Sequence, residues 1–264
     1  MKSIDINKII DIALLAGKEI LEVYNSGETD VQMKEDNFPV TRADKVSEEI
    51  ISKYLKELYP NIPIISEESE AASYEDRSQW EYFWLVDPLD GTKEFISRNG
   101  EFTVNIALMY KDSPVMGVIY APAVDLLYYA QKGSGAFKKA GSSKVCSICI
   151  YKEKRSPLIV TRSRSHASEK ENSLISQLGD VKEIIVGSSI KFCYVAEGKA
   201  DIYIRFAGSM EWDIAAGQCI AEEAGAEMRD IRGNLFLYNK KVLKNEALFC
   251  FNTTVDISLL ANRN

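Results

Sequence analysis

Apolar residues recur at helical spacing over residues 4–24, where Ile6, Ile9, Ile10, Ala13, Leu14 and Val23 share one face, and again over residues 43–58 through Val46, Ile50, Ile51, Tyr54, Leu55 and Leu58. Two amphipathic helices are predicted, the second stopped by Pro60. From Ile62 the pattern shortens to the runs IPIIS, YFWLVD, FTVNIALMY, PVMGVIYAP and LLYYAQ, separated by Gly, Pro and Asn. Such runs, rich in β-branched and aromatic residues, predict an antiparallel sheet. Residues 138–157 are rich in charge, Gly and Ser and form a candidate boundary. Beyond it PLIVTRS, HASEKENSLISQL, KEIIVG, IKFCYVAEG, ADIYIR, WDIAAGQCIAEEAGA and ALFCFN alternate strand with helix, the texture of an α/β layer. The expectation is two domains: an α+β domain over residues 1–150 holding most of the acidic candidates below, and an α/β domain over residues 151–264.

Composition narrows the function. The 264 residues suffice for a sizeable core, and 32 basic against 39 acidic residues give a net charge of -7. No overall positive field is there to draw in a nucleic acid polymer, so an anionic ligand needs local cations. No apolar run reaches membrane-spanning length, and Asp5, Asp11 and Glu19 interrupt the first twenty residues, which excludes a transmembrane segment and a signal peptide and makes the cytoplasm the expected compartment. Five cysteines, an odd number without an export signal, are expected as free thiols. Cys146 and Cys149 match C-x-x-C, but they fall in the strand-like run KVCSICIY, where positions i and i+3 face opposite sides.

The chemistry concentrates at WLVDPLDGTKEF, residues 84–95. An apolar strand is expected to end at Asp87, because Pro88 lacks a donor. Asp87 and Asp90 then flank a turn in which Gly91 permits close backbone approach and Thr92 can cap a helix whose free N–H groups suit a phosphate. Read as residues alone, the segment serves either as an Asx-type turn or as a cation site, with Mg²⁺ the natural guest of two crowded carboxylates. Two more acidic features stand at element ends: Glu67-Glu68 after the strand Ile64-Ile65-Ser66, and Asp213 in the first turn of the helix that Glu211 opens. Singly, each fits a solvated loop or a cap.

Taken in order, Pro39-Val40-Thr41-Arg42-Ala43-Asp44, Ser66-Glu67-Glu68, Asp87-Pro88-Leu89-Asp90-Gly91-Thr92 and Trp212-Asp213-Ile214-Ala215-Ala216-Gly217 resemble the inositol monophosphatase superfamily of Mg²⁺-dependent, lithium-sensitive phosphatases, from residue 39 to about 252. The continuation Lys93-Glu94-Phe95-Ile96, followed by Arg98-Asn99-Gly100-Glu101-Phe102-Thr103-Val104-Asn105, is similar to the 3'(2'),5'-bisphosphate nucleotidase branch of CysQ type. The resemblance implies a layered αβαβα sandwich of the sugar phosphatase type, combining α+β and α/β parts, with the active site where they meet. It implies Glu67, Asp87, the carbonyl of Leu89, Asp90 and Asp213 as ligands of two or three Mg²⁺ ions. Asp44 and Thr92 would orient the attacking water, Glu67 would aid its deprotonation, and Gly91 and Thr92 would meet the scissile phosphate. Ser165 and His166 in the Ser-Arg-Ser-His segment, with Ser188, Lys191 and Arg205, would bind the nucleotide alongside Asp90 and Asp213.

The implied reaction removes the 3'-phosphate of adenosine 3',5'-bisphosphate, a by-product of sulfate assimilation, with 3'-phosphoadenylyl sulfate as a second substrate. The alternatives are an inositol monophosphatase, a fructose-1,6-bisphosphatase-like enzyme, and a nucleotide-binding regulator without catalysis. The connection from Phe206 to Glu211 is short, so residues contacting the base are not assigned. The resemblance leaves oligomerisation open, as it does peripheral contact with the cytoplasmic face of the inner membrane. Gly133-Ser134-Gly135 lacks the third glycine of a dinucleotide fingerprint, and neither a P-loop nor a nucleophile elbow is present.

Overall fold

The computed structural model describes residues 4–27, 30–33, 39–165, 168–206 and 208–257. The two predicted helices are α1 (Ile6–Ser26) and α2 (Arg42–Leu58), separated by the short antiparallel pair β1 (Gln32–Met33) and β2 (Pro39–Val40). Asp5 caps α1 by accepting the Asn7 N–H at 3.0 Å, and Gly27 ends it at φ 78°. Thr41 and Asp44 cap α2 reciprocally.

Seven strands follow in one sheet: β3 (Ile64–Ser66), β4 (Tyr82–Asp90), β5 (Thr103–Tyr110), β6 (Ser113–Ala121), β7 (Leu126–Gln131), β8 (Ala136–Ala140) and β9 (Cys146–Ile148), lying side by side in chain order. All neighbours are antiparallel except β3 and β4, which run parallel. The short helix α3 (Tyr74–Arg77) lies in the crossover that a parallel pair requires. A second sheet takes the order β11-β10-β12-β14-β13, from β10 (Leu158–Ser163), β11 (Val181–Val186), β12 (Ile202–Arg205), β13 (Glu227–Asp230) and β14 (Leu248–Phe251). Strands β10, β11 and β12 are mutually parallel in it, and β14 is antiparallel to β12 and β13. Its helices are α5 (Glu169–Gln177), α6 (Ile190–Ala196) and α7 (Glu211–Glu223); α4 (Thr92–Ile96) follows β4 in the first half.

The layers follow from which residues share a core. Helices α1 and α2 bury Ile9, Ala13, Ile20 and Ile51 against Trp84, Val86, Ile106 and Val118 on one face of the larger sheet. The opposite face offers Phe83, Leu85 and Ile119 to Phe192 of α6 and Ile214 and Ala215 of α7, and the same cluster takes in Tyr203, Leu248 and Cys250 from the smaller sheet. Beyond that sheet, Ile175 of α5 packs on Val160, Ile202 and Phe249. The result is the αβαβα sandwich. Close approach demands the small residues of α7: a Cβ on Gly117 of β6 would stand 2.5 Å from the Ala216 carbonyl oxygen.

Two expectations need correction. The first sheet is not wholly antiparallel, because β3 joins in parallel. Nor does β4 end at Asp87. It runs to Asp90, with the ladder shifting register between Asp87 and Asp90 before Asp90 pairs with Thr103. A bulge accommodates Pro88, whose missing donor would otherwise break the ladder. All five cysteines are free, with Cys146 and Cys149 exposed.

Candidate active site

Alternation along β4 decides where Asp87 points. Trp84 and Val86 face α1 and α2, while Phe83 and Leu85 face α6 and α7. Asp87 follows the second set and turns, only 1% exposed, toward the helix layer. Glu67, one residue past β3, donates its N–H to the Val86 carbonyl at 3.2 Å and so stands next to Asp87. Asp213 arrives from the other half of the chain as the third residue of α7, where one of its oxygens accepts the Met210 N–H at 2.8 Å. One oxygen from each of Glu67, Asp87 and Asp213 lies within 4.8 Å of the other two.

Crowding these acids in a buried place has an electrostatic cost. Burial first, then Glu67, Asp90 and Asp213, push the Asp87 carboxyl well above the ordinary carboxylate range. Burial, then Asp90 and Glu67, do the same to Asp213, against opposition from the Met210 N–H and Arg205. Burial lifts Asp90 to about 6, with Lys191 pulling down and Glu94 and Glu67 pushing up. A divalent cation held among Glu67, Asp87 and Asp213 would relieve this cost. The donor set fits a hard divalent cation such as Mg²⁺: the carboxylate oxygens of Glu67, Asp87 and Asp213 are hard, and Leu89 and Asp90 line the same cleft.

Beside this cluster the Asp44 carboxylate is shared. One oxygen accepts the Thr41 N–H at 2.7 Å and its hydroxyl at 2.6 Å; the other faces the Thr92 hydroxyl at 3.2 Å. The Ser47 hydroxyl of α2 donates to the Pro88 carbonyl at 2.7 Å, which pins the bulge carrying the acids. Thr92 does not cap α4 as the sequence suggested. Gly91 takes the cap position at φ 95°, a conformation in which a Cβ would be strained, and Thr92 begins the helix with its hydroxyl free to reach Asp44.

The other wall is cationic. It lies at the carboxyl ends of β10, β11 and β12, where open α/β sheets take ligands. Lys191, 4% exposed, donates to the carbonyls of Ser188 and, at 3.5 Å, Val186. Burial draws its ammonium down to about 8, with Asp90 opposing and Arg205 adding to the shift. Arg205, at the end of β12 and 8% exposed, makes no side-chain hydrogen bond to another described residue. Both cations line one cleft of about 560 Å³ together with Glu67, Asp87, Leu89, Asp90, Gly91, Thr92, Ser188 and Asp213.

The sequence model of the Inositol monophosphatase family matches residues 5–257. The chain belongs to that family. Among curated members it is 43% identical to the 3'(2'),5'-bisphosphate nucleotidase CysQ of Salmonella typhimurium over 89% of this chain and 94% of the relative, and 42% identical to that of Escherichia coli K12 over the same shares. Among solved members, CysQ from Bacteroides thetaiotaomicron superposes with a TM-score of 0.81 at 41% identity, covering 93% of this chain and 96% of that one. The extragenic suppressor protein suhB of Bartonella henselae gives 0.80 at 27% identity, covering 96% of both.

Of the family-implied nucleotide residues, Ser165 is not among those lining the cleft. Ser165 is exposed and gives its hydroxyl to Glu94 at 2.5 Å, and His166 lies outside the described residues. Sequence reasoning missed others. Thr41 orders Asp44, and its spacing of three residues from that acid is a capping-box signal open to a direct reading. Glu94, buried and lining the cleft, was noticed only as a branch marker. Ser189, whose hydroxyl lies 2.8 Å from that of Thr103 and donates to Asn105 at 2.7 Å, leaves no pattern in sequence because its partners are more than eighty positions away.

Proposed function

We propose that the protein is a phosphoric monoester hydrolase, a 3'(2'),5'-bisphosphate nucleotidase that converts adenosine 3',5'-bisphosphate to AMP and phosphate and also accepts 3'-phosphoadenylyl sulfate. One observation carries the reading: a single cleft lined both by the acids Glu67, Asp87, Asp90 and Asp213 and by the two buried cations Lys191 and Arg205. A substrate with one phosphate answers only one wall. A bisphosphate answers both, with one group at the acids and the other at Lys191 and Arg205. The curated relatives' naming as bisphosphate nucleotidases supports it.

Glu67, Asp87, the Leu89 carbonyl, Asp90 and Asp213 would hold two or three Mg²⁺ ions, which supply Lewis-acid stabilisation and a more acidic water. The chain's own groups do the rest. Thr92 donates its hydroxyl proton to Asp44, leaving its lone pairs to fix the attacking water by one of its hydrogens. Gly91 and Thr92 offer main-chain donors to the scissile phosphate, as Glu67 assists removal of the water's proton. The water oxygen bonds to phosphorus, the bond to the ribose 3'-oxygen breaks, and that oxygen leaves as a hydroxyl after taking a proton. Ser188, Lys191 and Arg205, with the Ser165–His166 segment, hold the remaining nucleotide.

The expected setting is the cytoplasm, clearing the by-product of sulfate assimilation. No described helix is long and apolar enough to cross a membrane. Phosphate release from adenosine 3',5'-bisphosphate, inositol monophosphate and fructose 1,6-bisphosphate, each with and without Mg²⁺, tests the proposal. Mg²⁺-dependent turnover with the highest kcat/KM on the nucleotide is expected; a clear preference for either sugar phosphate would replace it with the sibling activity.

A further inference from the structure

Three segments meet beside the cleft: the turn after β4, the approach to β5, and the β11–α6 connection that carries Ser188 and leads into Lys191. Glu101 joins them. Its carboxylate takes the Arg164 guanidinium side-on, with Nε and Nη2 each at 2.7 Å from a different oxygen, and Oε2 also accepts the Gly187 N–H at 2.7 Å. Arg164 Nη2 reaches on to the Ile185 carbonyl at 3.2 Å, so the pair grips β11 and the residue after it.

The packing is as tight as the hydrogen bonding. A Cβ on Gly187 would lie 2.8 Å from the Glu101 carbonyl oxygen and 2.6 Å from Glu94 Cγ, while one on Gly91 would lie 3.0 Å from that same Glu101 oxygen. The Glu101 backbone is therefore wedged between the turn assigned to the scissile phosphate and the loop assigned to the other. Ser188, next along, sits at φ 48°, a region costly for a residue with a Cβ unless its surroundings hold it there. Its carbonyl is where Lys191 anchors its ammonium.

We infer that Glu101, braced by Arg164, is a positioning residue that sets the spacing between the Gly91–Thr92 turn and Lys191, and so confers the preference for substrates with a second phosphate. The inference rests on the bisphosphate reading. Partial burial pulls the Glu101 carboxyl up, but the hydrogen bonds from Arg164 and Gly187 outweigh it and hold the group below the ordinary carboxylate range, as an anion. The side chains of Arg164 and Glu101 are 43% and 21% exposed. A rim pair of this kind adds little to global stability, which separates positioning from mere support.

The test compares kcat/KM on adenosine 3',5'-bisphosphate and on adenosine 3'-monophosphate for the wild type, Glu101→Ala, Glu101→Gln and Arg164→Ala, with melting temperatures alongside. The wild type is expected to prefer the bisphosphate. Glu101→Ala should raise KM on the bisphosphate about tenfold, the effect of losing one to two charge-assisted contacts, and change monophosphate turnover less than about twofold. Glu101→Gln keeps an acceptor for Gly187 and should recover part of the loss. An unchanged substrate ratio, or an equal fall on both substrates, overturns the inference while the bisphosphate reading stands. A wild type with no preference sinks both. Should Glu101→Ala not fold, Arg164→Ala, which leaves the Gly187 contact in place, decides by the same ratio.

Discussion

The two walls of the cleft are built on opposite plans. The acidic wall sits on strand ends and on the first turn of a helix, where the backbone fixes each carboxylate: Asp87 by strand alternation, Glu67 through its N–H on Val86, Asp213 through the Met210 N–H. The cationic wall sits on the first turn of α6, entered through a loop strained at Ser188, and on the last residue of β12. The first suits chemistry that tolerates little displacement. The second suits recognition, which can be altered by changing a loop and leaving the catalytic frame intact.

The sharpest way to break this comparison is to remove a charge from the acidic wall. Asp90→Asn should lower kcat by about a thousandfold, a loss that saturating Mg²⁺ does not restore, because the defect lies in stabilising developing charge and not only in occupancy. Metal titrations of steady-state rates would check this. Thr92→Val tests the Asp44 pairing: kcat should fall by about a hundredfold with KM nearly unchanged, the pattern of a group that acts in the transition state. On the other wall, Arg205→Met should spare kcat and raise KM for the bisphosphate about tenfold to thirtyfold. If kcat were to collapse instead, the division of labour between the walls would be wrong.

The smallest effect is on stability. Asp87, Asp90 and Asp213 all have folded-state pKa values above their unfolded ones, Asp90 at about 6. Between the unfolded carboxylate range and about pH 6 the folded chain binds more protons than the unfolded one, so these groups destabilise the fold at neutral pH and the penalty fades as pH falls. Lys191, drawn down to about 8, works the other way and relieves strain only as pH rises past that value. The metal-free protein should therefore melt about 5 °C higher at pH 5.5 than at pH 7.5. Saturating Mg²⁺ should shrink that gap, and calorimetry with and without chelator would measure it.

Much of the fold was legible. Helices α1 and α2 begin and end within a few residues of the predicted spans because their apolar stripes are long and their stops chemical. The parallel pairing of β3 was not legible, since three residues carry no record of direction. Strand β13, Glu-Met-Arg-Asp, was missed because an edge strand with one neighbour needs only one buried side chain. The extension of β4 through Pro88 was hidden by a rule that holds for regular ladders and fails at a bulge. In the site, the acids were visible because turn residues and strand ends surround them. The Glu101–Arg164 pair joins positions 63 apart, and nothing local announces such a meeting.

Asp44 carries a consequence of its own. With one oxygen it closes the first turn of α2, and with the other it addresses Thr92. A descendant that drifted away from catalysis could not discard this carboxylate freely, because the helix start would fray with it. On the proposed mechanism the residue would thus answer two separate demands, and its persistence in a relative would say little about whether that relative still works as an enzyme.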